Sequence, residues 1–277
     1  MNLFAYAFMQ NAFMASTFIA ITTGIVGVFV VARNMSFLAH TLSEVGFAGA
    51  AFAVFAGIRP LDGMLLFTAI SSISVGRMSV QASRREASIS AVSSLFIGLG
   101  ILFLSLSSAN ASYATTILFG SIIGISRADV WQLVALAAGV LVTLYFGYRR
   151  LAFDSFDPVG SAAQGLKSKY ISIYFLLILA VSVSIGAQIV GSLLVFILLT
   201  LPPNVAKYLG RTLPQMIVIS VITALIGVWS GLYLGFLTNW PVTFFIAAIE
   251  FLFISWHCGT ITEQTKQLKK DSQHKPY

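Results

Sequence analysis

Apolar runs recur along the whole chain, separated by short polar interruptions that carry most of its charges. The first run covers about 11–31 and stops at Arg33-Asn34; a second begins at Met35 and ends near Arg59-Pro60. A third starts near Gly63 and fades into "GRMSVQASRRE", a fourth covers about 88–106, and a fifth covers about 130–148, closed by Arg149-Arg150. Mostly apolar runs of about 18 or more residues predict membrane-spanning helices. Between the fourth and fifth runs, "SSANASYATTILFGSIIGISRAD" is polar and then apolar, which predicts an external loop with a short re-entrant helix.

The longest polar interruption is "RRLAFDSFDPVGSAAQGLKSKY". The apolar stretch from Ile171 to Leu201 then exceeds one ordinary helix and is short for two, with Gly186 and Gly191 as candidate breaks. After "PPNVAKYLGRTLP" come a run from Pro214 to Leu237 and a last one from Val242 to Trp256. The pattern predicts an all-α, polytopic transmembrane helical bundle of about eight or nine spans. If 171–201 crosses twice, the basic ends near Arg84, Arg149, Lys207 and the tail share one side. By the positive-inside rule the C-terminus is then cytoplasmic, and nine crossings put the N-terminus outside.

Composition agrees. The chain is 58% hydrophobic and 9% charged, with a mean hydropathy of +0.92, against roughly 25% charged residues in soluble domains. So few charges cannot cover a folded core with polar surface, and lipid must serve as solvent. β-Barrel spans would alternate in short segments, which are absent. The net charge of +7 is explained by basic cytoplasmic loops and tail rather than by nucleic-acid binding. A lone cysteine, Cys258, excludes a disulfide framework or a Cys-rich metal cage. The opening "MNLFAYAFMQNAFMAS" has no basic residue ahead of its apolar run, so a retained first helix is expected. A single transmembrane domain is expected over 1–260, followed by a basic cytoplasmic tail over 261–277.

Within the second run, His40 and Glu44 stand four residues apart and so share one helical face. A lone carboxylate in hydrocarbon is costly, so such residues face a cavity, a partner or a substrate path. Imidazole with carboxylate suits zinc or manganese. The competing reading is a mutual hydrogen bond that only satisfies both groups, or a Glu44 that lies at the membrane interface. Glu250, the other acidic residue inside a run, is either an additional pathway group or a carboxylate paired with a neighbouring helix. His257 and Cys258 are adjacent, and adjacent helical residues diverge too far to chelate one ion. No phosphate-binding loop and no nucleophile–base arrangement occurs, so no enzymatic activity and no ATP hydrolysis are expected of this chain itself. Asp157-Pro158 predicts a helix start, with Asp157 as cap and Pro158 in the first turn, and Gly165 predicts its stop.

Several segments, in order and spanning nearly the whole chain, resemble the zinc/manganese/iron permease family of ABC importers. They are "FMQNAFMAS" with "GIVGVFVVARNMSFLAHTLSEVGFAGAA", then "RREASISAVSSLFIGLGILFLS", "LFGSIIGISRADV", "SFDPVGSAAQGL" and "IVGSLLVFILLTLPPNVAKYL". The family usually carries Asp-x-x-Ser-His where this chain has His40, Ser43 and Glu44, so the ligand types are inverted in order. In the family's Phe-Asp-Pro-Glu-x-Ala-x-x-x-Gly segment, Val159 replaces the Glu and Ser161 the Ala, while Asp157, Pro158 and Gly165 keep register.

The resemblance implies a type II-like permease in the cell membrane that conducts a divalent metal, zinc or manganese, as cargo past His40 and Glu44, without a covalently bound cofactor. It implies a second permease copy as homodimer partner, a separate ABC ATPase subunit seated on a cytoplasmic coupling segment near 154–169, and an extracytoplasmic metal-binding protein, all within membrane lipid. The rival readings are a proton-coupled secondary carrier and a non-transporting membrane sensor or scaffold.

Overall fold

In lipid a chain must satisfy its backbone polar groups internally, and helices do so within one segment. The computed structural model describes residues 6–78, 82–107 and 125–256, and every regular element among them is an α-helix. They are α1 (Ala7–Ala32), α2 (Ser36–Ala56), α3 (Pro60–Met78), α4 (Ala82–Leu106), α5 (Arg127–Phe156), α6 (Pro158–Ala163), α7 (Ser168–Val190), α8 (Ser192–Leu209) and α9 (Leu213–Thr238), followed by α10 (Val242–Trp256).

Local chemistry sets the boundaries. Asn34, in the left-handed region at φ 53°, turns the chain between α1 and α2; its short polar side chain tolerates that region. Gly57 ends α2 at φ 69°, where Ile58 N–H reaches Ala53 O at 3.0 Å and Gly57 N–H reaches Val54 O at 3.3 Å, a Schellman closure. Ser126 opens α5 through a reciprocal capping box with Asp129.

α1 and α7 form the centre, each with 72% of its apolar window buried, whereas α4 and α5, at 22% and 28%, are peripheral. Phe29, Leu38, Leu42, Phe175, Leu179, Leu198 and Leu199 fill the core among α1, α2, α7 and α8. Small residues let backbones approach: α9 presents Gly227, Gly231 and Gly235 to Glu250, Ile246 and Val242 of α10, the spacing that favours close helix pairs in lipid.

The stretch 171–201 is two helices, α7 and α8, meeting at a sharp break. A Cβ added to Gly186 would lie 2.5 Å from Val195 Cγ2, although nine helical residues would separate the two by roughly 13 Å. The break occurs at Gly191 alone, at φ 88°; Gly186 stays helical. Pro202 and Pro203, which follow the end of the apolar stretch at Leu201, lie inside α8.

The apolar pattern predicts about eight or nine spans, but among the described residues seven helices are long and apolar enough to cross a membrane. α3 falls short because Asp62, Arg77 and three serines dilute its apolar character, and α10 is followed only to Trp256, where the described residues end. Most of the expected re-entrant segment, His257, Cys258 and the basic tail lie outside the described residues.

Candidate metal path and coupling segment

α2 buries Leu38, Leu42 and Val45 on its inner face and turns His40 and Glu44 to the opposite side. Their side chains are 36% and 39% exposed, and His40 Nε2 stands 3.5 Å from Glu44 Oε1. The other oxygen, Oε2, accepts a hydrogen bond from Ser93 Oγ of α4 at 3.1 Å. The His40 ring packs on Phe196 of α8 at 4.7 Å between centroids, and its Nδ1 is buried without a hydrogen-bond partner among the described residues. Ser43 sends its hydroxyl to Ala39 O of its own helix at 3.1 Å, so it is not part of the pair.

Thus α4 orients the carboxylate and α8 braces the imidazole, leaving Nε2 and Oε1 side by side. A divalent ion between them would have one nitrogen and one oxygen ligand, a partial coordination set for zinc or manganese. Among the described residues no group of three or more His, Cys, Asp or Glu is assembled, so within them the pair offers two ligands. An incomplete shell suits an ion that must leave again.

Glu250 is completely buried and lies against Gly227 of α9. Its carboxyl oxygens have no hydrogen-bond partner among the described residues. The expected pairing with a neighbouring helix is therefore a packing contact without a polar partner.

At the other candidate segment, Asp157 Oδ1 accepts from Gly160 N–H at 2.8 Å and Pro158 occupies the first turn of α6. Gly165 closes the helix at φ 77°, with Leu166 N–H to Ser161 O at 3.1 Å and Gly165 N–H to Ala162 O at 3.0 Å. Val159 is 80% exposed whereas Ser161 is fully buried, so this short helix shows one face outward and seats the other.

Sequence reasoning missed Ser93 and Phe196 at the histidine–glutamate pair, because no spacing rule links α4 or α8 to α2. It also missed the buried Arg33–Asp154 ion pair, 2.9 Å between Nη1 and Oδ2. Arg33 reads as a loop charge, and Asp154 sits in what reads as a polar loop but is the last turn of α5.

The ABC 3 transport family matches residues 5–258. The manganese transport system membrane protein MntC of Listeria monocytogenes is 29% identical over 240 residues, covering 86% of this chain and 85% of that protein. The manganese import system permease protein ScaB of Streptococcus parasanguinis is 28% identical over 236 residues, 84% of each. Among solved structures, PsaBC from Streptococcus pneumoniae in complex with Fab matches with a TM-score of 0.80 over 92% of both chains at 24% identity, a likeness of fold. The match to nearly the full length establishes that this chain belongs to the ABC 3 transport family.

Proposed function

We propose that the chain is the membrane-spanning permease of an ATP-driven importer of divalent metal ions, with manganese as the first cargo to test and zinc as the second. The observation that carries the reading is the His40–Glu44 pair, half-exposed on one face of an otherwise apolar helix and held from two sides by Ser93 and Phe196. The relatives named for manganese transport and manganese import support the choice of cargo. A second copy of the chain would cover the open face and supply further ligands, and an external metal-binding protein would deliver the ion.

Two ATPase subunits would dock on α6, with Val159 outward as the contact. ATP binding and hydrolysis there would switch the bundle between outward and inward states, while this chain binds, guides and releases the ion. The C-terminus would be cytoplasmic. The test is reconstitution with the ATPase subunit in vesicles and measurement of radiolabelled manganese uptake. ATP-dependent accumulation that zinc competes for supports the reading; uptake driven by a pH gradient without ATP would instead make it a secondary carrier.

A further inference from the structure

A buried ionic node joins α6 to the α1–α2 turn. Arg33, just after α1, donates through Nη1 to Asp154 Oδ2 at 2.9 Å and to Ser155 Oγ at 3.2 Å, both in the last turn of α5. Its Nη2 donates to Ser172 Oγ of α7 at 2.7 Å, and Phe175 lies 5.7 Å from the guanidinium carbon. Ser161 of α6 donates to the remaining Asp154 oxygen, Oδ1, at 3.1 Å. The Arg33 and Asp154 side chains are 7% and 1% exposed.

Such a pair is a poor device for stability alone, since desolvation offsets most of its attraction and apolar side chains would hold these helices as firmly. Its best-attested use is to fix a registry or a switch. Here the geometry supplies the two ends of one. At one end is α6, six residues long, too short to persist by its own hydrogen bonds. Ser161 is its one buried residue, and the Ser161 side chain bonds to Asp154. At the other end, only Asn34 and Met35 separate Arg33 from α2. That turn is closed tightly by Met35 N–H to Val30 O at 2.8 Å, and α1 and α2 otherwise share little surface. A shift of Arg33 therefore has no slack to absorb it before α2. His40 follows Ser36 by about one helical turn, roughly 6 Å along the axis, and Glu44 by roughly 12 Å.

We propose that the Ser161–Asp154–Arg33 chain is the link that carries displacement of α6 to α2 and so repositions His40 and Glu44 during the transport cycle. The link rests on the reading of α6 as the ATPase-docking helix. Arg33, Asp154 and Ser161 are then positioning residues that never touch the ion. Ser161 stands where the family pattern has alanine, so the hydroxyl that ties α6 to Asp154 is a property of this chain.

Ser161→Ala removes one hydroxyl and leaves the Asp157 cap and the ion pair in place; Ser172→Ala removes a tie of Arg33 to α7 and leaves α6 attached. In the reconstituted permease–ATPase complex, Ser161→Ala should keep ATP hydrolysis and thermal stability near the parent while ions moved per ATP fall by about fivefold or more. Asp154→Asn should lower the ratio further and, because it leaves the buried Arg33 guanidinium without its counter-charge, lower thermal stability as well, and Ser172→Ala should leave the ratio unchanged. An unchanged ratio in both Ser161→Ala and Asp154→Asn overturns the link. A cargo-independent readout accompanies it: nucleotide-dependent thiol labelling of Phe37→Cys, on the exposed face of α2, in a Cys258→Ser background. Labelling that responds to nucleotide in the parent and loses its response in Ser161→Ala supports the link. Labelling that never responds, or responds equally in both, removes it. A parent that shows the labelling response but no ATP-driven uptake would fail the transport reading and leave the link standing.

Discussion

Ser93 donates a hydrogen bond to Glu44 at 3.1 Å across 49 positions of sequence. This contact holds the carboxylate with one oxygen toward α4 and the other toward His40. Ser93→Ala should leave the fold intact, because Glu44 is partly exposed and water replaces the lost donor. It should weaken apparent metal affinity by several-fold, the equivalent of about 1 kcal/mol for one hydrogen bond, read as a raised KM for manganese uptake with little change in maximal rate. An unchanged KM would show that the orientation of Glu44 is immaterial to the cargo.

Replacing the pair itself separates path from packing. Glu44→Gln and His40→Ala should each reduce uptake by roughly tenfold, the equivalent of about 1.4 kcal/mol, without loss of assembly, since exposed pairs contribute about 0–1 kcal/mol to stability. The apolar double variant His40→Leu with Glu44→Met should be stable and inactive. Transport recovered in that double variant would mean that the two residues serve only each other.

At Gly165 the backbone rather than contact is decisive. No atom lies within 4 Å of an added Cβ, but φ is 77°. Gly165→Ala should cost roughly 1–2 kcal/mol at the end of α6, and Gly165→Asn should cost less. If α6 docks the ATPase, ions moved per ATP should follow the same order, glycine above asparagine above alanine. Equal ratios across the three would separate the geometry of α6 from transport.

Glu250 offers a sign test. Its buried oxygens lack hydrogen-bond partners among the described residues, and an unsatisfied buried polar group costs about 1–3 kcal/mol. Glu250→Met should raise thermal stability by about that amount. Retained uptake in this variant would leave Glu250 a packing residue; lost uptake in a more stable protein would place it on the ion's route.

The tail carries Lys266, Lys269, Lys270 and Lys275, and by the positive-inside rule this basic segment would lie in the cytoplasm. A Ser272→Cys variant with Cys258→Ser should resist an impermeant thiol reagent in intact cells. Rapid labelling from outside would invert the proposed orientation.

Much of this architecture is legible in the chain because lipid makes apolar length a direct signal. The placing of α1 and α9, the cap at Asp157 and the stop at Gly165 all follow from local rules. The break at Gly191 is ambiguous in the chain between two glycines, because only the fold shows Gly186 packed against Val195 within a continuous helix. α8 runs on through Pro202 and Pro203, since its buried setting, with Pro203 against Gly27, overrides their helix-breaking tendency. His40 and Glu44 were visible by spacing, but Ser93, Phe196 and the Arg33–Asp154 node were not. Those contacts join residues that only the folded bundle brings together.

The single-residue break at Gly191 has a biosynthetic consequence. α8 is short, 18 residues with two internal prolines, and each proline in a helix interior costs about 3 kcal/mol relative to alanine. Those prolines make it the weaker of the two spans as an independent helix. With only Gly191 between them, α7 and α8 are expected to enter the membrane as one unit, with the more apolar α7 leading. A polar insertion after Gly191 would divide that unit and should lower the yield of assembled protein.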